Sequence, residues 1–254
     1  RATGAQDPSL IQDRPAIRRT LHTQRAWIDG GRVLAYHTAL QLDGAKHSTD
    51  AGERAAAQRW CALVTPVLKA ALTTEAFHGA SACLQVFGGH GYVREWGIEQ
   101  IVRDARVAMI YEGTNEIQAI DLLVRKVLPD GGQAMGQWLL FLRKSLDAGR
   151  PLDAEVLRGL AQLRYFTTVL AQACKEDDTL AWRVADDYLR CVAVLLLGWA
   201  WARIAATEGT DGERWQGPLM QVQQRILPEM DWRMKSQWAQ ASVVHGNQLY
   251  AAAN

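Results

Sequence analysis

The run CVAVLLLGWAWA, residues 191–202, is the feature that most constrains the fold. It is apolar on every helical face and is closed by Arg190 and Arg203. A bilayer-spanning helix needs about 20 apolar residues, so this shorter run reads as a helix buried on most sides, which requires other helices around it. The rest of the chain can supply them, because apolar residues recur at helical spacing and no segment shows sustained strand alternation. The expected fold class is all-α: an up-down helical bundle followed by a second helical bundle.

Residues 15–42 read as one helix or two in sequence, through Ile17, Leu21, Ile28 and Leu34. LDGAKHSTDAGE, 42–53, reads as a polar loop, and 54–87 as a long helix that Pro66 either kinks or starts. FGGHGYVREWG, 87–97, is a glycine-rich loop. A helix follows from Ile98 to Gly113, with Glu99 and Arg103 paired at i,i+4 on its outer face. Asn115 and Gln118 resemble a capping box, so a further helix starts near Thr114 or Asn115 and runs to Val127. PDGG, 129–132, reads as a boundary between a domain at 1–130 and a helical extension at 131–254. Helices are expected there at 133–148, 153–175, 178–207, 216–227 and 231–252.

Charge narrows the function classes. The net charge is +1, and residues 131–254 carry 13 bases and 13 acids. Neither value favours nucleic acid or an anionic membrane, and a basic DNA-binding tail is disfavoured. Seven of the ten tryptophans lie in the extension, mostly at helical spacing, so core packing is expected of them. Cys61, Cys83, Cys174 and Cys191 lack Cys-x-x-Cys spacing and read as free, buried thiols in a reducing, cytoplasmic compartment. His90 has no second histidine at ligand spacing, so no metal site is expected.

The chemistry centres on AMIYEGTNEIQ, 108–118, where Glu112 follows an apolar helix and precedes a glycine. By spacing alone, the favoured reading is a helix-terminal glutamate exposed to water or paired with Arg103 or Arg106. The functional reading is a desolvated carboxylate with a raised pKa, poised to take a proton, with room for a substrate beside Gly113. Thr114, Asn115 and Glu116 open the next helix, whose N–H groups suit an anionic cofactor group. Glycines 88, 89 and 91 let backbone approach a ligand closely, although this is not a dinucleotide fingerprint. The two glycine turns are compatible with one flat anionic ligand that spacing does not identify.

The segment QVFGGHGYVREWGIEQIVRDARVAMIYEGTNEIQ, 85–118, closely resembles the C-terminal signature of flavin-dependent acyl-CoA dehydrogenases. The whole of 15–128 is similar to that family's C-terminal helical domain. The resemblance implies that Glu112 removes the α-proton of an acyl-CoA thioester lying against Gly113. It implies that Gln85, Val86, Phe87, Gly88 and Gly89 contact FAD, commonly that of a neighbouring subunit, and that Thr114, Asn115 and Glu116 form a second FAD contact. The product would be a trans-2-enoyl-CoA. The implied partners are the acyl-CoA, an electron-transfer flavoprotein or similar acceptor, and further copies in a homodimer or homotetramer. The extension resembles, more loosely, the larger type that includes 3-methylmercaptopropionyl-CoA dehydrogenase, which points to a short or thio-substituted acyl chain.

The family's N-terminal helical domain, its central β-domain and its Arg-x-x-Phe-Gly segment have no counterpart here, and the chain starts at Arg1. The expectation is a C-terminal part of a longer enzyme, inactive and weakly flavin-binding by itself. Two alternatives are an acyl-CoA oxidase, using the same base with oxygen as acceptor, and a non-catalytic helical interaction module derived from the family.

Overall fold

The computed structural model describes residues 10–245 except 208, 210 and 211. Among the described residues there is no strand; the elements are α-helices joined by short turns. Helices α1 (Pro15–His47) and α2 (Ala51–Val86) form a long antiparallel hairpin. Pro15 starts α1 at a position where its missing N–H costs nothing. The chain between residues 42 and 53 is not a loop, as its polarity suggested: α1 runs on to His47 and only residues 48–50 break the helices. Polarity there marks exposure, not conformation. Asp50 caps α2 by accepting the Glu53 N–H at 2.7 Å, while the Ser48 hydroxyl donates to the Glu53 carboxylate at 2.8 Å. Pro66 lies buried inside α2 between Val64 and Val67, where packing outweighs the loss of one helical hydrogen bond.

Helix α3 (Ile98–Val107) returns along α2 and α4 (Asn115–Ile120) continues through a wider turn over Asp121–Val127. The Glu99–Arg103 pair forms at 3.0 Å, with the arginine exposed. PDGG does break the helices, through left-handed Gly131 and Gly132. The extension then supplies α5 (Gln133–Arg143), α6 (Pro151–Ala173), α7 (Leu180–Ala205), α8 (Glu213–Gln221) and α9 (Glu229–His245). The last helix was expected to reach residue 252; residues 246–252 lie outside the described residues.

Every residue of 191–202 is buried in α7. The neighbouring helices approach closely because they meet it at glycines. A Cβ on Gly30 of α1 would lie 2.5 Å from Leu197, and one on Gly159 of α6 would lie 2.4 Å from Leu195. Trp201 donates its indole N–H to the Ala26 carbonyl of α1 at 2.8 Å. One continuous core therefore runs from Ala26 to Ala241 across both halves of the chain. Trp138, Trp199, Trp201 and Trp238 are buried in it, whereas Trp182 and Trp232 are exposed. The four cysteines are free, but only Cys191 is buried; Cys61, Cys83 and Cys174 are half-buried.

A ladder of charges crosses the same seam. Arg190 of α7 donates to Glu75 of α2 at 2.6 Å and to Glu229 of α9 at 2.8 Å, and stacks over Trp27 of α1 at 4.8 Å. Arg233 continues it to Glu229 and Asp187. Burial pulls the Arg190 guanidinium down, but the Glu229 and Glu75 carboxylates hold it above its ordinary value.

Candidate functional site

The helix expected to reach Gly113 stops at Val107, and the chain then turns sharply. Glu112 has φ +53°, alone in the left-handed region among the described non-glycine residues, and Gly113 follows at φ +83°. The turn is tied at several points. The Asn115 N–H donates to the Met109 carbonyl at 3.1 Å, and the Gln118 amide donates to the Glu112 carbonyl at 3.2 Å. Lys69 reaches in from α2, donating to the Gly113 carbonyl at 2.6 Å and to Asn115 Oδ1 at 2.9 Å. Thr114 is the N-cap of α4, its hydroxyl accepting the Ile117 N–H at 3.4 Å.

Asn115 does not act as the cap, and its side chain does not face outward. Its amide group donates to the Ala70 carbonyl and to the hydroxyls of Thr73 and Thr74, at 2.9–3.1 Å. It is a clasp between α4 and α2. Glu116 is exposed; the Thr114 hydroxyl and backbone N–H groups hold its carboxyl below the usual carboxylate range.

Glu112 is exposed within this chain, the state that its spacing alone favoured. Among the described residues no helix covers the turn, and Ile110 and Tyr111 beside it are also exposed. The carboxylate does not pair with Arg103, which is engaged by Glu99.

The second glycine turn lies at the far end of α2. Gln85 is exposed, Val86 half-buried and Phe87 exposed, and 88–92 form a tight turn. The three glycines differ. A Cβ on Gly91 would lie 2.6 Å from the Leu84 carbonyl, so its bareness serves packing. Gly88, at φ +60°, and Gly89 would meet nothing within 4 Å and offer bare backbone outward. That is a surface a flat group can lie against, so the segment fits a flavin contact. The two turns do not converge, however. Thirteen helical steps of α2 separate residue 73 from residue 86, roughly 20 Å at the helical rise. One compact flat ligand bound within a single copy would not touch both, whereas an extended cofactor, or a second copy of the site, would.

Around these turns Phe87, Tyr92, Trp96, Ile101, Val107 and Tyr111 are all exposed, an apolar rim of the kind that marks a covered surface. A cleft of about 280 Å³ adjoins the Glu112 turn, with Met109, Asn115 and Glu116 on one wall and Asp186, Arg190 and Arg233 of the extension on the other. Sequence reasoning missed Lys69, Thr73 and Thr74, because they lie more than forty positions from the turn they hold. The available signal was a lone lysine inside the apolar stretch LVTPVLKAAL.

Residues 3–127 match the family model for the acyl-CoA dehydrogenase C-terminal domain. Over 202 residues the chain is 35% identical to a 3-methylmercaptopropionyl-CoA dehydrogenase of Ruegeria pomeroyi, covering 77% of this chain and 34% of that protein. It is 32% identical over 212 residues to the broad-specificity linear acyl-CoA dehydrogenase FadE5 of Mycobacterium tuberculosis, with the same coverage of 77% and 34%. The chain thus spans about a third of the length of these curated relatives. The fold is similar to that of an acyl-CoA dehydrogenase complexed with FAD from Bacillus anthracis, with a TM-score of 0.71 at 20% identity, covering 92% of this chain and 44% of that one.

Proposed function

The chain belongs, through residues 3–127, to the acyl-CoA dehydrogenase family, and from that premise we propose that it carries the base of an acyl-CoA α,β-dehydrogenation. Glu112 takes the α-proton of the thioester. The observation that carries this reading is its backbone: a non-glycine carboxylate held at φ +53° against Gly113, with the carbonyls of both residues tied down. Strain of that kind persists where a site depends on it. The proton lost is only weakly acidic, so the base needs a water-poor setting when it works. The exposed apolar rim supports a covering surface, supplied by another copy or another part of the enzyme. In this reading the thioester lies against Gly113.

Gly88 and Gly89, with Gln85, Val86 and Phe87, would hold one part of FAD, and the backbone of Thr114, Asn115 and Glu116 another; the cofactor would supply the acceptor for the hydride from the β-carbon. The product is a trans-2-enoyl-CoA, and an electron-transfer flavoprotein or similar acceptor takes the electrons onward. The distance between the two turns supports a homodimer or homotetramer in which each copy serves its neighbour's cofactor. The relatives' names support a linear or thio-substituted acyl chain, and four free thiols support a cytoplasmic setting. Residues 1–254 by themselves hold FAD weakly, since the glycine backbone stands open; flavin absorbance kept through desalting would count against this.

The test of the base is Glu112→Gln in the intact, flavin-loaded enzyme that contains this chain, with an artificial electron acceptor. Turnover should fall by several orders of magnitude while the melting temperature holds. Undiminished turnover in that variant would remove the assignment, and peroxide formed with acyl-CoA would move the enzyme to the oxidase class.

A further inference from the structure

We infer that Lys69 is the positioning residue of the candidate base: from α2, its ammonium group holds the 112–115 turn in the conformation that presents Glu112. The inference rests on the reading of Glu112 as base and adds a residue to it.

Lys69 is half-buried, on a helix whose neighbouring residues Val67, Ala70 and Ala71 are core. A charge in such a place needs partners. Among the described residues Lys69 forms none of the ion pairs, and both of its hydrogen bonds go to the turn. One is the 2.6 Å bond to the Gly113 carbonyl and the other the 2.9 Å bond to Asn115 Oδ1. Bonds from an ammonium are stronger than neutral ones. Its position is also singular. The Asn115–Met109 and Gln118–Glu112 bonds lie within the segment they close, and cannot fix it against the rest of the protein. The threonines and Ala70 reach only the Asn115 side chain. Lys69 alone joins α2 both to the main chain beside Glu112 and to that side chain. A left-handed glutamate survives only where its surroundings dictate its backbone, and Lys69 supplies the external constraint. It touches no reacting atom; its role is geometric.

Two readouts test this. On the chain as it stands, hydrogen exchange of the peptide covering 108–118 should speed up about tenfold or more in Lys69→Met, with the rest of α2 unchanged. Lys69→Gln serves if the methionine variant folds poorly, and Lys69→Arg should recover part of the protection. In the intact, flavin-loaded enzyme that contains this chain, Lys69→Met should lower kcat by roughly 10- to 100-fold with the KM for acyl-CoA within about threefold, as expected of a misplaced base. In a Glu112→Gln background the same change should cost nothing further. Unchanged exchange in the turn, or a kcat loss that persists in full without Glu112, overturns the inference. Loss of turnover in Glu112→Gln with no effect of Lys69→Met leaves the base in place and removes only Lys69. If Glu112→Gln stays active, the base reading fails, while hydrogen exchange still reports whether Lys69 holds the turn.

Discussion

Trp201 donates its indole N–H to the Ala26 carbonyl at 2.8 Å, joining α7 of the extension to α1 of the acyl-CoA dehydrogenase domain. The bond forms because Gly30, one turn on, lets the two helix backbones approach. The extension therefore shares the core of the domain that carries the candidate site.

Gly30→Val should lower stability by about 1–3 kcal/mol, because its side chain would meet Leu197 and Trp201 in a packed seam. Trp201→Phe should cost about 1 kcal/mol or more through the lost hydrogen bond and smaller ring. Urea midpoints measured on both variants check this; a Gly30→Val midpoint equal to that of the parent chain would mean the seam is loose.

Arg190→Met should cost about 3–5 kcal/mol, since it leaves the largely buried carboxylate of Glu75 without its cation and Glu229 with Arg233 alone. Adding Glu75→Gln should recover part of the loss. The double-mutant cycle, read by denaturant unfolding, should give a coupling well above the few tenths typical of independent sites.

The ladder also sets an acid limit. Burial pushes the Glu229 carboxyl up, but Arg190 and Arg233 hold it net below its ordinary value near 4.5. A depressed folded-state pKa contributes stability that is present above the unfolded value and lost as pH falls through the folded one. Thermal unfolding should therefore drop between pH 5 and lower values, and Glu229→Gln, destabilised at neutral pH, should show a shallower drop. Equal slopes in the two proteins would remove Glu229 from the account.

The glycine turn yields a contrast. Gly91→Ala should destabilise by about 1–3 kcal/mol, since its Cβ would press on the Leu84 carbonyl, which cannot give way. Gly89→Ala faces open space and should leave stability within about 0.5 kcal/mol. If Gly89 backs the cofactor, flavin retention should weaken in that variant; unchanged FAD affinity would exclude close contact there.

The element types, the core helix and the family were legible in the sequence, because each rests on local pattern. Period and apolarity placed α7 inside the protein, PDGG marked a real break, and the 85–118 segment carried the family resemblance. The reading of 42–53 as a loop failed because polar residues serve an exposed helix end as well as a loop. Spacing alone favoured an exposed Glu112, and within this chain it is exposed; whether a carboxylate is dry depends on what covers its turn, and among the described residues no helix does. The Asn115 side chain looked like a cap and is a clasp, since three partners on α2 compete for its amide. Lys69 and Arg190 acquired roles only when distant helices met: a lysine 44 residues from Gly113 and an arginine 115 residues from Glu75 have no local signature. Periodicity along the chain specifies which surfaces must be buried, whereas the partner of a buried charge is chosen by packing in three dimensions.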